Sequence, residues 1–159
     1  MKSPGLPVLC LSGAALLLLI GFVAQVSVPD NTIDIHLHDT YFIIAHFHIA
    51  ALATFVMAFF AGVYYIFPRL FKRRIYRIPG IIHFAITLAY LVILIWPVRY
   101  TGIAGTPRRY YDYSSYSAHT FTTAGIFIAG ATMLCLAAQL LFIFNLIASA
   151  FAGKKTERS

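Results

Sequence analysis

Acidic residues are scarce in this chain, with five Asp and Glu against twelve Lys and Arg in 159 residues. Cysteine is scarcer still: Cys10 and Cys135 each lie inside an apolar run, which excludes a disulfide scaffold and a Cys metal cluster and leaves small, inert core residues. Charged residues of both signs make up only 11% of the chain, and the mean hydropathy is +0.82, so a soluble domain is excluded. No internal repeat, low-complexity tract or polar linker marks a second domain. The basic excess has no separate domain that would carry it into a nucleic-acid groove, which removes that class of partner.

What is present is hydrophobic length. Apolar stretches that reach the ~20 residues needed to cross a bilayer fall at about 7–28, 42–67, 80–98 and 121–151. The expected fold is an all-α membrane protein, a bundle of four transmembrane helices forming one membrane domain over residues 1–159. Asp30-Asn31, Pro68-Arg69, Pro97, Pro107 and Gly153 mark the breaks, as residues that cap or interrupt helices. The first span, led by Lys2 and rich in leucine, also fits a cleaved secretory leader, but it lacks a clear small-x-small cleavage site. Met1 and the charged tail from Lys154 to Ser159 read as chain ends.

Nine of the twelve basic residues cluster in three segments: Lys2; Arg69, Lys72, Arg73, Arg74 and Arg77; and Lys154, Lys155 and Arg158. The positive-inside rule puts these segments, and both termini, in the cytoplasm. Asp30, Asp34, Asp39 and Asp112 then lie on the outer side. The remaining cations, Arg99, Arg108 and Arg109, also fall outside. They fit either pairing with Asp112 and lipid phosphate or bidentate binding of an anionic carboxylate.

His46 and His48 carry the strongest functional signal. Ionisable residues near the start of an apolar span mark a functional site by default. At about 100° per residue the two imidazoles point to nearly opposite sides of a helix, so one metal ion cannot take both. Each needs its own partner, and imidazole is a common axial ligand of haem iron. The simplest arrangement is a helix between two haems, with propionates directed towards Arg108 and Arg109.

Three features carry a family resemblance: the run from Asp34 to His48, the loop Gly102-Ile103-Ala104-Gly105-Thr106-Pro107-Arg108-Arg109-Tyr110 with Asp112-Tyr113, and the helix order between them. Together they resemble the C-terminal third of subunit I of haem-copper, or cytochrome c, oxidases. The resemblance is good over about Asp30 to Phe151 and poor over the first span. It implies that His46 is the proximal ligand of a high-spin haem and His48 an axial ligand of a low-spin haem. By the same resemblance Arg108 and Arg109 bind propionates, and His38 with Asp39 ligates a Mg2+ or Mn2+ ion; an ordinary helix N-cap is the alternative for that pair. The second low-spin ligand, the copper histidines and the active-site tyrosine of the family have no counterpart here. Copper is expected only if a partner chain supplies its ligands, and the chain is not expected to be active alone.

The remaining histidines fit outer-loop exposure for His36, a hydrogen-bonded helix-start role for His83 and no assigned role for His119. Arg99 replaces the family's histidine in Pro97-Val98-Arg99-Tyr100. Tyr64, Tyr65, Tyr110, Tyr111, Tyr113 and Tyr116 are expected to anchor span ends at the interface. Gly125, Ala129, Gly130 and Ala131 offer the last span a close-contact face for a helix partner. The expected role is a haem-binding subunit of a respiratory terminal oxidase that reduces O2, in the bacterial cytoplasmic membrane among other membrane subunits. The alternative is a non-catalytic truncated relative serving as an accessory, electron-transfer or assembly subunit.

Overall fold

The computed structural model describes residues 5–26, 48–103 and 118–155, with the side chains of these residues except at 24–26, 96–103 and 118–124. Four helices make up these regions: α1 (Leu6–Val26), α2 (Ile49–Phe71), α3 (Arg77–Ile103) and α4 (Ala118–Ala152). Each contains an apolar stretch of at least 18 residues, long enough to cross a membrane. With no water in the hydrocarbon, a helix is the local structure that satisfies its own backbone. Large apolar side chains such as Phe22, Phe55 and Phe144 face outward, the opposite of what a soluble bundle would do.

Helix ends follow local chemistry with two exceptions. Pro79 sits in the first turn of α3, where its missing N–H has no helical partner to lose. Pro68, by contrast, lies inside α2, which continues to Phe71 and stops at Lys72 in the left-handed conformation (φ 54°). Pro97, read from sequence as a break, is also interior: α3 runs on to Ile103.

Close helix contact occurs at glycines on α1. A Cβ at Gly21 would lie 2.5 Å from the Cβ of Ala50, and one at Gly13 would lie 2.9 Å from the Cε of Met57. Without side chains there, α1 lies directly on α2, the packing mode that dispersion favours when lipid is the solvent. By contrast, no atom of the described residues comes within 4 Å of a Cβ at Gly125 or Gly130 on α4.

The short α2–α3 connection is tied to the end of α4. The Arg74 amide donates to the Lys154 carbonyl (2.9 Å), and Arg73 forms an antiparallel bridge with Lys155. Arg73 Nη1 donates to the carbonyls of Phe151 (2.9 Å) and Gly153 (3.0 Å), placing a cation on the free carbonyls of a helix C-terminus. Asn145 Nδ2 donates to the Tyr76 carbonyl (3.1 Å), and the Tyr76 amide donates to Ser149 Oγ (3.2 Å). Leu6 packs at Gly80, so the start of α1 lies at this same end of the bundle. The helices therefore alternate in direction, and Arg69, Lys72, Arg73, Arg74, Arg77, Lys154 and Lys155 gather at one end.

Candidate functional site

Among the sequence-predicted site residues, the structure describes His48. His38, Asp39, His46, Arg108 and Arg109 lie outside the described residues, as does His36. His48 has helical backbone angles (φ −63°, ψ −40°) immediately before Ile49 and makes no side-chain cap. It is exposed.

The register of α2 explains why. Ala50, Ala53, Met57, Phe60, Ala61, Tyr64 and Phe67 are buried and form one stripe. Steps of four, seven, eleven and eighteen residues from His48 return to nearly the same angle. These positions hold Leu52, Phe55, Phe59 and Ile66, all exposed. His48 thus heads an apolar stripe that the rest of the described chain does not cover. An aromatic macrocycle ligated at His48 would meet Leu52 and Phe55, hydrocarbon side chains suited to its faces, so the residues fit a haem.

His83 is the opposite case. It is fully buried between α2, α3 and α4. The Tyr64 hydroxyl donates to Nδ1 at 3.0 Å, and Nε2–H donates to Gln139 Oε1 at 3.2 Å. That assignment follows from the Gln139 amide, whose Nε2 donates to Thr87 Oγ1 (3.1 Å) and more weakly to Cys135 Sγ (3.6 Å). The ring stacks on Phe142 with centroids 4.7 Å apart and meets Phe60 edge-on at 4.6 Å. Both ring nitrogens are committed, which leaves no lone pair for a metal.

Tyr64 is accordingly a core residue at 2% exposure, correcting its sequence assignment as an interface anchor; its hydroxyl is satisfied by His83 rather than by headgroup water. Tyr65 does face outward, with the Arg69 guanidinium 3.4 Å above its ring. Tyr90 shares a hydrogen bond with Thr132 (3.3 Å). Among the described residues, no cluster of three or more His, Cys, Asp or Glu side chains could hold a metal ion.

The family model for cytochrome c and quinol oxidase polypeptide I matches residues 1–134. This chain belongs to that oxidase family. The match takes in α1, where the resemblance read from sequence was poor, and ends within α4. Cytochrome c oxidase subunit 1 of Synechocystis sp. is 31% identical over 143 residues, covering 89% of this chain and 25% of that protein. Alternative cytochrome c oxidase subunit 1 of Bradyrhizobium diazoefficiens is 28% identical over 156 residues, 93% of this chain and 25% of its own length. Cytochrome c oxidase subunit 1 of Thermostichus vulcanus is 31% identical over 144 residues, with shares of 89% and 25%. The chain spans about a quarter of the curated relatives it matches. Membership of the oxidase family and four membrane-length helices together make this an integral membrane protein of the respiratory-oxidase class.

Proposed function

We propose that the chain is a haem-binding subunit of a terminal oxidase that reduces O2, completed by a partner chain that carries the missing ligands. The observation that carries this reading is His48, exposed at the head of the apolar stripe of α2 in a member of the oxidase subunit I family. An imidazole presented on a membrane helix beside hydrocarbon side chains suits ligation of a large apolar group.

In this reading His48 is an axial ligand of a low-spin haem and His46 the proximal ligand of a high-spin haem. Bound haem would supply a reversible one-electron couple and a site for a diatomic gas. The chain's own residues orient and insulate: the imidazoles fix each macrocycle, Leu52 and Phe55 exclude water from the His48 side, and Arg108 and Arg109 neutralise propionates. His38 and Asp39 hold a Mg2+ or Mn2+ ion beside them, where a hard cation takes oxygen ligands and retained water. Copper enters this reading only if a partner chain supplies its ligands, together with the second low-spin ligand. The basic end faces the cytoplasm, which puts both termini on that side of a bacterial inner membrane.

The partial span of the match also fits a second reading, in which the chain is a non-catalytic accessory, electron-transfer or assembly subunit. Single replacements test the ligand roles. With the chain purified alongside the subunits it brings from its own membrane, His46→Ala is expected to remove a carbon monoxide-sensitive high-spin signal, and His48→Ala a low-spin signal. Equal, partial losses of both signals from either change would instead mark a folding defect and overturn the assignment.

A further inference from the structure

Between α2 and α4, at the basic end, lies an open groove of about 580 Å3 whose ten lining residues are all apolar. It runs from Phe59 to Phe71 along α2, with Leu146, Ile147 and Ala150 on the facing side. Twelve residues of helical rise give it a length of about 18 Å, close to the ~15 Å of one leaflet's hydrocarbon. A membrane-crossing helix needs twice that depth; a single acyl chain needs this much.

The mouth of the groove carries charge of one sign. Phe71 is followed by Lys72 and Arg73, and Ala150 stands four residues before Lys154. The Arg74–Lys154 hydrogen bond and the Arg73–Lys155 bridge hold the two basic segments side by side. The Arg73 guanidinium is engaged by α4 carbonyls, whereas Lys72, Lys154 and Lys155 are exposed. The described residues contain no Asp or Glu; Glu157, next to Arg158, lies beyond them. Basic pockets between membrane helices on the cytoplasmic side suit anionic headgroups.

We infer that this groove binds an anionic glycerophospholipid, with one acyl chain along Phe59, Gly62 and Ile66 and the phosphate at Lys72, Lys154 and Lys155. The inference does not depend on haem. Gly62 supplies a way to block the groove, because it lines the groove and a Cβ there meets no described atom within 4 Å.

The test uses the full chain with its co-purified subunits, reconstituted into phosphatidylcholine vesicles containing a trace of spin-labelled phosphatidylglycerol or spin-labelled phosphatidylcholine. The motionally restricted fraction is read by electron paramagnetic resonance. Phosphatidylglycerol is expected to be enriched about fivefold or more over phosphatidylcholine, the factor that ~1 kcal/mol per basic residue gives for a single lysine. Replacing all three lysines with glutamine should bring the two lipids to parity. Gly62→Phe should reduce the restricted phosphatidylglycerol while circular dichroism stays unchanged. Equal retention of both lipids by the unaltered protein would overturn the proposal. So would a Gly62→Phe protein that keeps its restricted lipid but sheds a co-purifying chain, an outcome that assigns the groove to a partner's helix.

Discussion

Two histidines on neighbouring helices differ in burial. His48 is exposed beside hydrocarbon, while His83 has both nitrogens satisfied by Tyr64 and Gln139 within a cage of rings. Replacing His83 with leucine strands the Tyr64 hydroxyl and the Gln139 carbonyl, at a cost of about 1–3 kcal/mol for groups left unsatisfied in a low-dielectric interior. Tyr64→Phe removes one partner more gently, at about 0.6 kcal/mol and at most ~1.7 for hydrogen bonds between membrane helices. Denaturant titration in mixed micelles should give that order, and a His83→Leu protein as stable as Tyr64→Phe would contradict the network. Haem content per chain should survive His83→Leu and fall with His48→Ala.

At the scale of the helix, glycines separate the contacts the chain makes from those it leaves open. Gly21→Leu forces side-chain atoms into Ala50 of α2, and overpacking of this kind costs about 1–3 kcal/mol; a lowered thermal midpoint in detergent is the expected readout. Gly125→Ala and Gly130→Ala meet no neighbour among the described residues, so the same assay should show no loss and a gain of up to ~1 kcal/mol from helix propensity. Arg73→Gln should loosen the α4 terminus and speed tryptic cleavage at Lys154 and Lys155; an unchanged cleavage rate would show that backbone hydrogen bonds suffice there.

The four spans were legible because apolar length is a one-dimensional property of the sequence. Helix pairing was not: the small residues of α4 offered a contact face without naming its partner, and the close approach of α1 to α2 at Gly13 and Gly21 went unread. Pro97 misled as a break, because a helix can continue through proline when neighbours compensate. The hydrogen-bonded role of His83 was readable from its place near a helix start. Its partners were not, because Tyr64 and Gln139 are 19 and 56 residues away. At the candidate site, the spacing of His46 and His48 pointed to two separate ligands, and the structure adds the exposed apolar stripe below His48.

For the molecule as a whole, charge and topology agree. Alternating helices bring seven cations to one end, and the ties between the α2–α3 connection and α4 hold part of that cluster in place. One stripe of α2 is packed against the other described helices, whereas Leu52, Phe55, Phe59 and Ile66, in register with His48, are exposed. In the proposed assembly this member of the oxidase family supplies haem ligation from α2. The most direct test is a reduced-minus-oxidised absorbance spectrum, with and without carbon monoxide, of the chain purified in mild detergent with its native partners. A low-spin haem together with a carbon monoxide-binding high-spin haem is the expected result; a preparation that carries no haem would contradict the account.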